Sequence, residues 1–284
     1  NELIKKVESL EIKNPKELLD NSYSTAAAWL AFGLDTSKTI FYKQSDVPIT
    51  TELSWVLSSI FPYQRLTLAH SFKDKSNELK DVNVGLFTYP MLMAADILLY
   101  DAEIVPVGKD QLQHLEITRD VANKFNNQYG ETLIIPEASI NEETKYVIGT
   151  NGEKMSKSKN NIINIFLNDK LLKKQIMSIE TDSTPIESPK NPKTCNVFKI
   201  YSFLASNEEI KNLETKYKSG GFGYGHSKKE LLELILRKFS KQREKYNYLM
   251  SNKNEIDLIL DAGSKKAMIT ANQVMARVRK KLGY

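Results

Sequence analysis

The sequence predicts an α/β domain built on a parallel sheet, followed by an all-helical module. Strand-like and helix-like segments alternate as far as residue 163, and only helical patterns follow. The charge divides at the same place: the net +5 of the 284 residues is −5 over 1–163 and +10 over 164–284. With 41% hydrophobic and 26% charged residues and no apolar run long enough to span a bilayer, the chain reads as soluble and globular, with one large or two ordinary domains.

The elements follow in order. Asn14-Pro15 starts a helix, with Asn as N-cap and Pro in the first turn, and Lys16 to Phe32 carries it to Gly33. Thr39 to Tyr42 is a short strand candidate, followed by a break at Pro48 and a helix over Leu53 to Phe61. Tyr89 to Leu99 is a strongly apolar helix, Ile104 to Val107 a buried strand, and Gln111 to Tyr129 an amphipathic helix closed by Gly130. Beyond residue 163 the longest helix candidates are Leu167 to Met177, Phe198 to Ala205, Lys228 to Met250 and Ser264 to Leu282. Thr181 to Lys193, rich in Pro and Ser, and the glycine-rich Ser219 to Gly225 read as linkers. Asn1 to Leu10 has a helical pattern. These patterns place the expected domains at 1–163 and 164–284.

Three segments carry chemistry. Lys154-Met155-Ser156-Lys157-Ser158 sets two ammonium groups three residues apart beside two hydroxyls, after the glycine-flanked turn 149–152. Such a loop suits phosphates, because mobile cations and hydroxyl donors can follow a polyphosphate as it changes geometry; a merely solvated lysine loop is the alternative. On the helix from Tyr89, residues Tyr89, Met93 and Asp96 stand at i, i+4 and i+7 and line one stripe. Tyr and Met alone suit a core, but a carboxylate inside Ala94-Ala95-Asp96-Ile97-Leu98 should be buried and needs a donor, either a backbone amide or a ligand. Val105-Pro106-Val107-Gly108-Lys109-Asp110-Gln111 runs from a strand through glycine into a helix start, where α/β proteins bind ligands, although the segment taken alone favours an ordinary strand-to-helix turn capped by Asp110.

Other chemistries find little support. The single Cys195 excludes an internal disulfide and cysteine-based zinc patterns, and His70, His114 and His226 lack metal-ligand spacing, so no metal site is expected. One cysteine also makes a reducing compartment the default. A second half at +10 suits a polyphosphate such as RNA, with a solvated lysine surface as the alternative. The last predicted helix would put Lys265 and Lys266 in its first turn and Arg277, Arg279, Lys280 and Lys281 at its end, as candidate RNA contacts.

Taken together, Tyr89 to Tyr100, Val105 to His114 and Lys154 to Ser158, with Phe72-Lys73-Asp74-Lys75-Ser76 and Thr181-Asp182-Ser183, resemble the tryptophanyl-tRNA synthetases, a family of class I aminoacyl-tRNA synthetases whose signature loop has the KMSKS form. The motifs stand in the same order and at similar spacing, and the likeness runs from about Asn14 to the C-terminus. It implies a Rossmann-like parallel-sheet catalytic domain followed by a helical anticodon-binding domain with a C-terminal helix. By that resemblance Asp96 would accept the indole N–H of L-tryptophan, Met93 would pack on the indole, Tyr89 and Gln111 would hold the ammonium group, and Val105 and Val107 would wall the pocket. Gly108, Asp110, Gln111, Ile148, Lys154, Met155, Ser156, Lys157 and Ser158 would contact ATP, with Lys75, Lys154 and Lys157 on its phosphates together with Mg2+. The resemblance further implies tRNA(Trp) as partner, a cytoplasmic homodimer, and no membrane association.

Within the same fold, the tyrosyl-tRNA synthetases are the rival reading. Their usual helix has Gln where this chain has Met93, and Met suits the wide apolar face of an indole better than a phenol. From other classes, a non-catalytic RNA-binding fragment and a small-molecule nucleotidylyltransferase are the alternatives; the latter would have no use for a basic helical module of some 120 residues. The family's N-terminal strand, glycine-containing phosphate loop and HIGH-like signature have no counterpart before Asn14, so the full polypeptide is expected to have residues that this sequence omits. Ala69-His70-Ser71 also departs from the family's usual Met-Thr-Gln type of string.

Overall fold

The structure is a computed structural model that describes residues 14–67, 83–140, 146–156 and 159–284, with the Asp110 side chain also outside the description. The expectations for Asn1 to Leu10, Phe72 to Ser76 (with Lys75), Lys157 and Ser158 therefore lie outside the described residues. In chain order the elements are α1 (Pro15–Ala31), a 3-10 turn (Gln44–Asp46), α2 (Ile49–Ile60), α3 (Tyr63–Thr67), α4 (Val84–Leu98), β1 (Ile104–Val107), a second 3-10 turn (Lys109–Gln111), α5 (Leu112–Tyr129) and β2 (Glu137–Ile140). They continue with α6 (Asp169–Met177), α7 (Asn196–Leu204), α8 (Asn207–Ser219), α9 (Tyr224–Lys238), α10 (Ser240–Ser251) and α11 (Lys253–Leu282).

β1 and β2 pair in parallel, Ile104 opposite Glu137 and Val107 opposite Ile140, with α5 as the crossover between them. This is the β-α-β unit that alternating strand and helix patterns predict. Arg119 of α5 donates to the Pro136 carbonyl, which ties the crossover helix to the start of β2. The expectation of a buried β1 needs correction. Val105 and Val107 are half-buried, whereas Ile104 and Pro106 face outward, with Ile104 66% exposed. Among the described residues only β2 pairs with β1, along one edge of the strand.

The chain groups into two compact units, each with its own core. The first takes in the described parts of 1–26, 34–143 and 252–284, and the second 27–33 and the described parts of 144–251. These bounds differ from a division at 163, for two reasons of packing. Ala267, Ala271, Val274, Met275 and Val278 of α11 are buried in the same core as Leu53 and Leu57 of α2, Met91 and Ala95 of α4, and Val121 and Phe125 of α5. Ile148 and Ile163 instead pack on the core of the second unit, around Leu172, Ile176, Val197, Tyr217 and Leu231.

Several elements differ from their sequence-based bounds. α4 begins five residues before Tyr89, where the Asn83 side chain accepts from the Leu86 amide at 2.9 Å, so Pro90 lies inside the helix rather than at its start. Thr39 to Tyr42 is not a strand. It runs against the middle of α11, where a Cβ on Gly263 would stand 1.9 Å from the Phe41 carbonyl oxygen, so only glycine admits the approach. The predicted helix Lys228 to Met250 is two helices divided at Phe239, whose ring packs on the core of its unit. α8 and β2 were not foreseen, although the reciprocal Ser206–Glu209 capping box marks the start of α8.

Candidate active site

Within the fifteen residues of α4, two sets differ in burial. Leu86, Pro90, Met91, Ala94, Ala95, Ile97 and Leu98 are buried, while Tyr89, Met93 and Asp96 are half-buried on a separate stripe. Their helical spacing places them together, and their partial exposure takes Tyr89 and Met93 out of the core to which composition alone would assign them. The stripe therefore opens outward with a phenol, a thioether and a carboxylate.

Each polar member of the stripe has a partner. The Gln44 side-chain amide donates to Asp96 Oδ2 at 2.5 Å, so the donor is a side chain from the first 3-10 turn. Burial pushes the Asp96 carboxyl up to about 6, and the Gln44 hydrogen bond pulls it the other way. Behind this pair the Tyr42 and Tyr100 rings meet edge to face with centroids 5.8 Å apart; burial raises both phenols above their ordinary pKa, so both stay neutral. Tyr89 Oη lies 2.6 Å from His114 Nε2, joining α4 to α5. Val105 and Val107 share the half-buried face of β1, and Gly108 leads in extended conformation to the turn that carries Gln111, whose amide donates to the Gly108 carbonyl at 2.9 Å. The first unit thus contains the residues expected to hold the amino acid, together with the backbone of Gly108, Asp110 and Gln111.

The lysine loop belongs to the second unit and is a tight hairpin. Ile148 and Lys154 form an antiparallel bridge, the Met155 amide donates to the Val147 carbonyl at 2.9 Å, and Gly152 turns the chain at φ +80°. A Cβ at Gly152 would also meet the Asn196 side chain at 2.6 Å. Asn161, 2% exposed, holds the loop from beneath. Its Oδ1 accepts from the Ser156 amide at 2.7 Å, and its Nδ2 donates to Asn151 Oδ1 at 2.7 Å and to the Lys154 carbonyl at 3.2 Å. Lys159 pairs with Glu153 at 2.8 Å, whereas the exposed Lys154 ammonium has no partner among the described residues. Met155 and Ser156 are half-buried, and Ile148 packs on the core of the unit. The arrangement keeps one cation available on a stiff support, as an anion site requires.

Sequence reasoning did not foresee Gln44, Asn161 or the pairing of His114 with Tyr89. Gln44 stands 52 residues before Asp96 and shows no periodic relation to it. Conversely, two proposed RNA contacts are engaged within their own unit: Arg279 makes a two-pronged pair with Glu52 of α2, and Arg277 pairs with Asp101 at 2.5 Å. Lys265 and Lys266 are exposed, but they lie mid-helix, because α11 starts at Lys253 rather than near Ser264. Among the described residues no three His, Cys, Asp or Glu side chains gather as a metal site, and no helix is long and apolar enough to cross a membrane.

Comparison with known proteins shows what the chain is similar to. The family of tRNA synthetases class I (W and Y) matches residues 9–240. A tryptophan–tRNA ligase of Campylobacter jejuni is 49% identical over 268 residues, which cover 94% of this chain and 84% of that protein. Its counterpart in Fusobacterium nucleatum is also 49% identical, over 94% of this chain and 82% of its own length. A crystal structure of tryptophanyl-tRNA synthetase from Campylobacter jejuni, complexed with ADP and tryptophan, superimposes with a TM-score of 0.92 at 48% identity, covering 96% of this chain and 85% of the other.

Proposed function

The chain belongs to the class I tRNA synthetases for tryptophan and tyrosine, and we propose that it reads tryptophan along the α4 stripe and ATP along Gly108–Gln111 and the lysine loop. Its activity is the ATP-dependent ligation of tryptophan to tRNA. The tryptophan carboxylate attacks the α-phosphate of ATP, pyrophosphate leaves, and a terminal ribose hydroxyl of the tRNA then takes the aminoacyl group and releases AMP. Neither step asks a side chain to form a covalent bond, so positioning and charge stabilisation carry the catalysis.

In this reading Asp96 accepts the indole N–H, Met93 lies on the indole face, and Tyr89 and Gln111 hold the ammonium group, with Val105 and Val107 as walls. Gly108 and Asp110 take the ribose; Ile148, Met155 and Ser156 support the nucleotide; Lys154, with Lys157 and Lys75, neutralises the phosphates, and Ser158 adds a hydroxyl donor. Mg2+ bound with the nucleotide would add positive charge against the phosphates beside Lys75, Lys154 and Lys157, in keeping with its preference for substrate phosphates over all-protein cages. The basic helical part, 164–284 with its C-terminal helix, serves as the anticodon-binding part for tRNA(Trp), and the protein works as a homodimer in the cytoplasm.

The observation that carries the reading is Asp96: a carboxylate pushed up to about 6 on a half-open apolar stripe, one oxygen held by Gln44. A site that spends stability on an acceptor amid apolar surface suits a ligand with a single N–H on a broad ring. The test is tryptophan-driven ATP–pyrophosphate exchange by Asp96→Ala. Loss of a charged hydrogen bond in a dry site costs about 2–4 kcal/mol of transition-state stabilisation, so kcat/KM for tryptophan should fall by roughly 30- to 900-fold. A folded variant with parental kcat/KM would remove Asp96 from the site.

A further inference from the structure

We propose that Gln44 is the positioning residue for amino-acid recognition: its side-chain amide holds Oδ2 of Asp96 and presents Oδ1 to the indole N–H. The proposal rests on the assignment of Asp96 to the indole and adds a residue that composition, spacing and helix periodicity all leave unmarked.

The geometry is specific. Gln44 is an exposed side chain at the start of a 3-10 turn, and its Nε2 reaches Asp96 Oδ2 at 2.5 Å across 52 residues of sequence. Its backbone is fixed on both sides. The Gln44 carbonyl accepts from the amide of the fully buried Val47 at 3.0 Å, and two residues upstream Tyr42 packs edge-on against Tyr100. One residue further back, the Phe41 carbonyl lies against Gly263 of α11. An exposed glutamine on so constrained a backbone can hold a carboxylate in one rotamer while adding nothing to the core.

The chemistry follows from the donor. A carboxylate with an N–H on one oxygen is favoured in its ionised form, in which it can only accept. That matches an indole, which offers one donor and no acceptor. The titratable groups facing Asp96 do not compete for the role. Tyr42 and Tyr100 are held neutral, and Lys43 and Asp46 on the same turn pair with each other at 3.5 Å. His114, on α5, is engaged with Tyr89. Gln44 is therefore the group that opposes the effect of burial on Asp96.

The experiment measures tryptophan-dependent pyrophosphate exchange of the full chain between pH 5 and 8 for the parent, Gln44→Met, Asp96→Ala and the double variant. Methionine keeps the length of the side chain and deletes the donor. We expect Gln44→Met to raise KM for tryptophan by on the order of 10-fold, with kcat and KM for ATP changed far less, and to move the acidic limb of kcat/KM upward by about half a unit or more. In the Asp96→Ala background the same change should have no further effect, because the glutamine acts through the carboxylate. A raised KM with an unmoved acidic limb, or losses that add in the double variant, would overturn the proposal by marking a steric or independent role. A crippled Asp96→Ala beside an unaffected Gln44→Met would reject Gln44 alone, whereas two unaffected single variants would reject the assignment of Asp96 as well.

Discussion

Asp96 shows what the site costs at a single position. Its carboxyl, ordinarily near 3.8, is pushed to about 6 by burial, so the folded protein binds a proton more readily than the unfolded chain does. Stability therefore declines as pH rises from about 4 to 6, and the full penalty of the ionised group is present above that window. Asp96→Asn removes the charge and should stabilise the protein at pH 7 by about 1–3 kcal/mol, with the gain shrinking toward zero at pH 4. Thermal melts at the two pH values check this, and a gain that does not depend on pH would show that ionisation is not its source. Lys154 makes the complementary point in the lysine loop. Its neighbour Lys159 is neutralised by Glu153, while the Lys154 ammonium, on the Asn161 support, has no partner among the described residues. Lys154→Ala should slow adenylate formation by on the order of 10²-fold with tryptophan affinity nearly unchanged, because the charge acts on phosphates as the transition state forms. Equal losses in tryptophan binding, read by equilibrium titration, would assign the loop a structural role instead.

Between elements, the segment before α2 is the main link from packing to recognition. Gly263 sits in the interior of a 30-residue helix, where glycine is about 1 kcal/mol worse than alanine, and it is needed there because the Phe41 backbone presses on α11. Gly263→Ala should lower stability by about 1–3 kcal/mol through overpacking, and should also raise KM for tryptophan, since it displaces the strand of backbone that leads to Gln44. Chemical denaturation together with exchange kinetics tests both, and a stabilised variant would show that the approach is not tight. This contact also shows the limit of what is legible in the sequence. Helix starts and stops with local chemistry could be read: Asn14-Pro15 opens α1 and Gly130, at φ +90°, closes α5. The stripe of Tyr89, Met93 and Asp96 follows from helical spacing, and the loop from its own residue types. Gln44 on Asp96, Asn161 beneath Lys154 and Thr39 to Tyr42 against α11 could not be read, because each depends on contacts between segments far apart or on a turn conformation that no periodicity announces. The apolar pattern of Thr39 to Tyr42 is that of a strand; the packing partner is a helix.

Over the whole chain, charge and fold divide at different places. The basic half begins at about residue 164, yet α11 folds into the first unit and commits Arg277 and Arg279 to Asp101 and Glu52. Those two arginines serve stability: Arg279→Ala should lower the melting temperature and leave the KM for tRNA unchanged. We propose that RNA contact falls instead to cations without such partners among the described residues, Lys265 and Lys266 among them, both exposed on α11. Transfer to tRNA should weaken steeply with salt while adenylate formation changes little, since only the former releases counterions from many phosphates. Reversal of Lys265 and Lys266 to Glu should raise KM for tRNA, and unchanged charging kinetics would place the RNA elsewhere. The central claim, that the α4 stripe reads the indole, is tested most directly by a crystal structure of the full chain with tryptophan bound. The account predicts the indole nitrogen about 2.7–3.2 Å from Asp96 Oδ1, with Gln44 still on Oδ2 and Met93 against the ring. An indole N–H bonded to any other group, or a ring seated away from Met93, would contradict it.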